Sequence, residues 1–183
     1  FCIFNDIAVT AQSLYQTGEA RHILIIDLDV HQGDATALIF RDNPDIFTFS
    51  IHGEKQFPLR KQQSDLDLEL PVATDDAGYL QVLEHGKAGT GFHGIAQLIE
   101  RVEPDLVIYD AGVDVHRDDR LGKLALTDQG VTARDTLVIQ SCQQLGTPVA
   151  CVIGGGYDRD HARLARRHRI LHQSAAAVLA RPT

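Results

Sequence analysis

Short apolar runs alternate with segments of helical character along most of this chain. Residues 22–28 form one such run, continuous and rich in isoleucine, which is typical of a strand buried on both faces of a parallel sheet. A helix is predicted before it, with Asn5 as N-cap and Gly18 at its C-terminal stop. Further strands are predicted near 46–51, 106–109 and 149–153, and further helices near 34–41, from 79 onward, over 128–144 and over 158–180. Because strands that alternate with helices form right-handed βαβ units, the pattern predicts a layered α/β fold.

Two segments interrupt this alternation. Residues 53–78 combine glycines, prolines and many charges, which predicts a long excursion that includes a short strand at 67–70. Residues 85–94 contain four glycines inside an otherwise helical stretch. Since each glycine costs a helix about 1 kcal/mol relative to alanine, two separate helices are predicted there.

Composition limits the classes of protein that the chain can belong to. With 183 residues, of which 44% are hydrophobic and 23% charged, one globular domain is expected. No apolar run approaches the ~18 residues of a membrane helix and no signal peptide is evident, so we expect a soluble, cytoplasmic protein with no membrane partner. The net charge of -8 argues against a nucleic-acid partner. The three cysteines contain no CxxC pair, and they predict reduced thiols.

Two aspartates and a histidine stand at alternate positions in residues 27–31, the stretch that ends the isoleucine-rich strand. Side chains of a strand point alternately to its two sides, so Asp27, Asp29 and His31 are predicted on one side and Leu28 and Val30 on the other. A divalent cation would offset the repulsion and desolvation of two neighbouring carboxylates. A solvated strand end with a helix-capping aspartate is the alternative, and this stretch alone leaves both open.

A further aspartate, Asp114, lies five residues beyond the strand predicted at 106–109. Open α/β folds build their sites at the carboxyl ends of parallel strands, where Asp114 could meet Asp29 and His31. Three protein ligands leave a fourth position for water, which is the pattern of a catalytic metal site. The alternative is that the four aspartates of residues 110–119 form only a solvated acidic loop.

Three glycines and a tyrosine, residues 154–157, come directly after the strand predicted at 149–153. The glycines allow the backbone to turn sharply and to approach a ligand, and they bring Tyr157 to the same edge of the sheet. A phenol at that place can donate a hydrogen bond to an oxyanion. A plain strand-to-helix turn with a packing tyrosine remains the alternative.

Four motifs together resemble the zinc-dependent histone deacetylase superfamily, which includes acetoin-utilisation proteins and acetylpolyamine amidohydrolases. They are FCIFND at 1–6, DLDVHQGD at 27–34, DAGVD at 110–114 and GGGY at 154–157, and in order and spacing they cover nearly the whole chain. The stretches 52–55 and 119–122 look most like the class-four branch and its bacterial relatives. The resemblance implies an arginase-like, three-layer α/β/α fold with a central parallel sheet.

The resemblance also implies roles for individual residues. Asp29, His31 and Asp114 match the family's zinc ligands, and Tyr157 matches its transition-state hydrogen-bond donor. Phe1 and Phe57 match the aromatic walls of the channel that admits an acyl-lysine stem, although the loop around Phe57 differs from that of better-known members.

Further matches concern the general base and a monovalent cation. Family members carry a His-His pair upstream of the first motif, and Asp27 and Asp34 match the aspartates that support it. The chain begins inside that motif, so residues 1–183 are expected to be the C-terminal portion of a larger single domain. By the same resemblance, a structural potassium ion would use Ser50 and Ile51 together with residues 27–31.

The activity that the resemblance implies is hydrolysis of an acetyl or other acyl amide on a lysine- or polyamine-type amine. Zinc would activate water, Tyr157 would stabilise the oxyanion, and an upstream histidine would move the proton. The rival hypothesis is a noncatalytic metal-binding or structural module, because the general-base histidines are absent from this chain. An arginase-like manganese enzyme is disfavoured, since only one set of ligands is evident.

Two further groups of residues are interpreted without a role in the site. We interpret the remaining histidines, such as His22, His52, His85 and His93, as surface or capping residues. We interpret the arginines of 159–169 as a solvated face.

Overall fold

The structure, a computed structural model, describes residues 3–180. Helices and strands alternate through this range much as the apolar pattern predicts. In chain order the elements are α1 (Asp6–Thr17), β1 (Ile23–Asp27), α2 (Asp34–Phe40), β2 (Ile46–Gly53), β3 (Leu66–Leu70), α3 (Asp76–His85), α4 (Ile95–Val102), β4 (Leu106–Asp110), α5 (Asp128–Leu145), β5 (Val149–Val152) and α6 (His161–Leu179).

The five strands form one parallel sheet in the order β3-β2-β1-β4-β5. From the central strand β1 the chain moves outward to β2 and β3, and then returns to add β4 on the other side of β1. The order of strands therefore reverses between β1 and β4, and open α/β sheets bind their ligands at such a switch point. Asp27 and Asp110, the last residues of these two strands, are partners in the register.

Helices cover both faces of the sheet. On one face, α3, α4, α5 and α6 contribute to the larger apolar cluster, which includes Tyr79, Ile99, Val138 and Leu171. On the other face, α1 and α2 contribute Ala8, Ala11 and Phe40 to a smaller cluster with Ile23, Ile25, Ile46 and Ile108. The three-layer α/β/α fold with a parallel central sheet is therefore confirmed.

The details of several elements follow from capping. Helix α3 begins at Asp76, before the predicted start at 79, because the Asp75 side chain accepts a hydrogen bond from the Gly78 amide. Helix α6 begins only at His161, because the carboxylate of Asp160 accepts hydrogen bonds from the amides of residues 162 and 163. The predicted short strand is present as β3, and two helices flank the glycine-rich stretch 86–94. Across residues 3–180, no helix combines the length and the apolar character that crossing a membrane requires.

Candidate metal centre

Asp29 and His31 lie in a bend immediately after β1. The strand ends at Asp27, so the prediction that all three polar residues belong to the strand is wrong for Asp29 and His31. The alternation nevertheless persists, because Leu28 and Val30 are fully buried while Asp29 and His31 are half-buried. The two apolar side chains anchor the bend in the core and leave the polar pair at the carboxyl edge of the sheet.

Asp114, in the loop after β4, is completely buried. Its Oδ1 accepts a hydrogen bond from the Val30 amide at 2.9 Å, which joins the loop after β4 to the bend after β1. Its Oδ2 is also buried but accepts no hydrogen bond, although His31 Nδ1 lies 3.1 Å away. The solvated acidic loop considered from the sequence is therefore wrong for Asp114.

Ligand atoms of Asp29, His31 and Asp114 all lie within 4.8 Å of one another. His31 Nδ1 is 2.9 Å from Asp29 Oδ1, so the imidazole nitrogen faces both carboxylates. Two carboxylate oxygens and one imidazole nitrogen are ligands that zinc accepts, and three protein ligands would leave a coordination position open. The buried Oδ2 of Asp114, which accepts no hydrogen bond, fits a cation at this point.

Four carboxyl groups crowd this edge of the sheet: those of Asp27, Asp29, Asp110 and Asp114. Burial, together with the neighbouring charge of Asp29, raises the pKa of Asp110 and of Asp114 to about 7 each. Burial and the charge of Asp110 raise the pKa of Asp27 well above its usual value. Buried carboxylates repel one another, and a bound cation would offset that repulsion.

The glycine turn after β5 closes over the ligand cluster. The Gly155 amide donates to Asp29 Oδ2 at 2.8 Å, and the Gly155 carbonyl accepts from the Val113 amide at 2.6 Å. A Cβ at position 155 would overlap the Oδ2 atoms of both Asp29 and Asp114. Only glycine can therefore bring the backbone this close to the two carboxylates.

Tyr157 stands beside His31, with the two rings edge to face and their centroids 6.4 Å apart. Its backbone is held on both sides by the loop after β4. The Tyr157 amide donates to Asp119 Oδ2 at 2.6 Å, and the Tyr157 carbonyl accepts from the Arg120 amide at 3.1 Å. The same Asp119 carboxylate also accepts from the Leu121 and Gly122 amides, so it organises this loop around the tyrosine.

Asp27 and Asp34 line a cleft of about 450 Å³ next to the ligand cluster. Asp27 Oδ1 accepts from the Asp29 amide at 3.0 Å, and Asp34 is the first residue of α2. The exposed side chains of Ile3 and Phe4 form part of the rim of this cleft. Within residues 3–180, His31 is the one histidine that lines it.

The residues expected to bind potassium are buried on β2. Ser50 is the register partner of Asp27, but its Oγ lies 2.9 Å from His52 Nδ1, and Ile51 is fully buried. These contacts give no support to the predicted potassium site. His52 is itself completely buried, so its interpretation as a surface or capping residue is wrong.

Of the two expected channel residues, Phe57 is 61% exposed in the loop after β2. Beside it, the buried Gln56 donates from its side chain to the Leu121 carbonyl at 3.1 Å, which links this loop to the one that holds Tyr157. Phe1 lies outside the described residues.

The family of the chain follows from comparison with known proteins. A family model described as histone deacetylase domain matches residues 1–172. This chain belongs to the histone deacetylase family. The match takes in every motif on which the resemblance was based, from the first residues to the glycine-tyrosine turn.

Several known proteins are similar over most of this chain. An uncharacterised protein of Picosynechococcus is 53% identical over 178 residues, which are 97% of this chain and 57% of that protein. An acetoin utilization protein of Bacillus subtilis is 32% identical over 86% of this chain and 42% of its own length. The crystal structure of an acetylpolyamine aminohydrolase from Burkholderia pseudomallei shares the fold, with a TM-score of 0.78 at 23% identity, over 97% of this chain and 51% of that one. The chain thus spans about half the length of these relatives.

Sequence reasoning missed two residues of the centre. Asp110 joins the carboxylate cluster, and a signal existed, because Asp110 closes its apolar run just as Asp27 closes the isoleucine-rich one. Asp119 holds the Tyr157 backbone, and within the acidic stretch nothing local distinguishes it from its exposed neighbour Asp118.

The solvated arginine face predicted for α6 is wrong at one position. Arg167 is buried, and its guanidinium contacts the Asp158 carboxylate at 3.2 Å.

Proposed function

We propose that this protein is a zinc-dependent amidohydrolase that removes an acetyl or other acyl group from a lysine- or polyamine-type amine. The observation that carries the proposal is the convergence of Asp29, His31 and Asp114 at a strand switch point, with Asp114 Oδ2 buried and facing His31 Nδ1 at 3.1 Å. Membership of the histone deacetylase family supports the reaction class. The likeness to an acetylpolyamine aminohydrolase supports the fold on which this chemistry would be built.

Asp29, His31 and Asp114 would hold the ion. Bound there, zinc would supply Lewis acidity that polarises an amide carbonyl and makes water nucleophilic near neutral pH. The Val30 amide and the Gly155 amide each occupy one oxygen of a ligand carboxylate, which fixes the direction in which the other oxygen points. Such outer contacts orient ligands before the metal arrives.

Tyr157 would donate its phenolic proton in a hydrogen bond to the oxyanion that develops on the acyl carbonyl. Its ring lies beside His31, and both its amide and its carbonyl are fixed by the loop 119–122. A donor that is already in place pays no reorganisation cost when charge develops on the substrate. Two bonds to the backbone are therefore consistent with a preorganised donor.

The remaining predicted residues would contact the substrate or support proton transfer. Phe57, exposed in the loop after β2, and Phe1 would flank the acyl-amine stem. Asp27 and Asp34, which share the cleft beside the proposed ligands, would orient the imidazole of a general base. Substrate would be an acyl-lysine peptide or an acetylated polyamine.

A second candidate is a noncatalytic, metal-binding module. It is favoured by one observation: in the part of the chain that the structure describes, the only histidine lining the cleft is His31, itself a proposed ligand. No described histidine is thus positioned as a general base. General bases contribute about 10²–10⁴-fold to hydrolytic rates, so the two candidates differ strongly in expected turnover.

Turnover of the zinc-loaded protein tests the proposal. Hydrolysis would be measured on an acetyl-lysine peptide, an acetylated polyamine and a longer acyl-lysine, with Asp114→Ala as the inactive variant. Asp118→Ala is the matched control, because Asp118 is an exposed aspartate of the same loop. Zinc-dependent turnover in the protein and in the control, absent in Asp114→Ala, is the expected result. Stoichiometric zinc with no turnover on any of the three substrates would favour the noncatalytic module.

A further inference from the structure

Arg134 is a charged side chain enclosed in the core beneath the metal centre. It lies in α5 and is completely buried. Its Nε and Nη2 contact Asp135 Oδ1 at 2.9 and 2.8 Å, and the Tyr109 hydroxyl donates to the same oxygen at 2.6 Å. Burying a guanidinium destabilises the fold unless its N–H groups donate hydrogen bonds, so the remaining contacts of Arg134 indicate its role.

The remaining donors of Arg134 bind backbone carbonyls of the two loops that carry the proposed ligands. Nη1 donates to the Leu28 carbonyl at 3.0 Å and to the Gly112 carbonyl at 2.7 Å, and Nη2 donates to the Ala111 carbonyl at 3.3 Å. Leu28 immediately precedes Asp29, and Gly112 precedes Asp114 by two residues. One guanidinium therefore joins the bend after β1 to the loop after β4.

The spacing of these loops determines how the ligands face each other. Gly112 packs so closely on Asp29 that a Cβ at position 112 would overlap Asp29 Oδ2. A small shift of either loop would therefore change the distance between the carboxylates of Asp29 and Asp114. The planar guanidinium presents five donors in a fixed fork, whereas a lysine ammonium has three donors on a flexible stem and cannot reproduce the arrangement.

We propose that Arg134 is a positioning residue of the metal centre, which sets the separation of Asp29 and Asp114 by binding the carbonyls that precede both. The inference rests on the proposed metal site and adds to it a residue that does not touch the ion. Replacing groups that orient metal ligands commonly weakens metal affinity about 10–100-fold. Arg134 acts on two ligands at once, so we expect an effect in this range.

Titration of the protein with Co²⁺ tests this inference without any need for turnover. Visible absorbance reports both affinity and coordination geometry, and would be compared in the wild type, Arg134→Lys and Arg134→Met. Val138→Ala is the control, since Val138 is fully buried one turn further along α5 and its truncation removes apolar packing but no hydrogen bond. Urea unfolding of each variant would show how far its stability has changed.

The expected result is a loss of Co²⁺ affinity of about 100-fold for Arg134→Met and a smaller loss for Arg134→Lys, with altered spectra for both. Val138→Ala should retain the wild-type affinity and spectrum even where its stability is lower. If Arg134→Met does not fold, Arg134→Lys decides alone. Wild-type affinity and spectrum in Arg134→Lys, or an equal loss in Val138→Ala, would overturn the inference while leaving the metal site intact. Failure of the wild type to bind stoichiometric Co²⁺ would overturn the proposed function as well.

Discussion

At the scale of residues, the site contains one buried carboxylate oxygen, Oδ2 of Asp114, whose charge must be compensated. It accepts no hydrogen bond, and an unsatisfied buried polar group costs about 1–3 kcal/mol, more when it is charged. The nearby Asp29 carboxylate adds repulsion, and the polar atom that faces this oxygen is His31 Nδ1 at 3.1 Å. A divalent ion between these groups would remove both penalties, which is why the cluster favours a metal over a merely structural role.

Replacing Tyr157 with phenylalanine should separate chemistry from metal binding. The substitution removes the phenolic donor but keeps the ring beside His31 and both backbone bonds of the turn. Turnover should fall about 10²-fold or more, as is common when an oxyanion donor is lost, with zinc content unchanged. Steady-state kinetics and metal analysis of the same preparation would check this. Unaltered turnover would exclude Tyr157 as the donor.

Gly155→Ala should act on the metal rather than on the oxyanion. The added methyl group would overlap Oδ2 of both Asp29 and Asp114, so the carboxylates or the turn must move. Zinc affinity should drop at least about 10-fold, by the usual cost of disturbing ligand orientation. Gly78→Ala in α3 is the control, because its Cβ would press on the Thr74 side chain at 3.2 Å but would meet none of the proposed ligands. Competition with a chromogenic chelator measures both; equal affinities in the two variants would contradict the close approach.

The position of a single residue could be predicted from the sequence where the neighbouring residues in the chain determine its environment. The proximity of Asp29, His31 and Asp114 was predictable, because strand ends of a parallel sheet meet at one edge. Asp119 and the buried His52 were not, because their environments come from segments distant in sequence or from burial that no local pattern shows. Charge and polarity alone misplaced His52 on the surface.

At the scale of elements, the switch point between β1 and β4 explains why the site lies where it does. Both strands end in aspartate, and the bends beyond them meet because no strand separates them. The strands and helices themselves were predictable from periodicity. Their ends were less so, since the starts of α3 and α6 depend on caps at Asp75 and Asp160.

The start of α5, the helix that carries Arg134, depends on Thr127. The Thr127 hydroxyl accepts from the Gly130 amide at 3.2 Å and donates to Asp76 Oδ2 at 2.6 Å, which also links α5 to α3. Thr127→Ala should lower the free energy of unfolding by about 1–2 kcal/mol, the usual cost of a lost N-cap. Thr127→Ser keeps the hydroxyl and should lose much less. Urea midpoints would measure both, and an alanine variant as stable as the serine variant would argue against this link.

For the whole molecule, binding at the centre should be visible as stability. The proposed ligands come from two loops of one sheet edge, so an ion held there would favour the folded chain over the unfolded one. At zinc concentrations about 100 times Kd, the gain should be about 2.7 kcal/mol, seen as a rise in melting temperature that a chelator reverses. Asp114→Ala should show no such rise. A rise of the same size in that variant would place the zinc elsewhere.

The scale of the whole molecule is also where sequence reasoning is least complete. The layered fold was predictable, because alternating strands and helices allow few other arrangements. The activity of the chain was not, since it spans about half the length of its relatives and its cleft contains one described histidine.

Metal content is the most direct test of the central claim, that Asp29, His31 and Asp114 together bind one divalent ion. Mass spectrometry after zinc loading and dialysis would count ions per chain in the wild type, Asp114→Ala and the exposed control Asp118→Ala. The account predicts one zinc in the wild type and in the control, and none in Asp114→Ala. One zinc per chain retained by Asp114→Ala would contradict it.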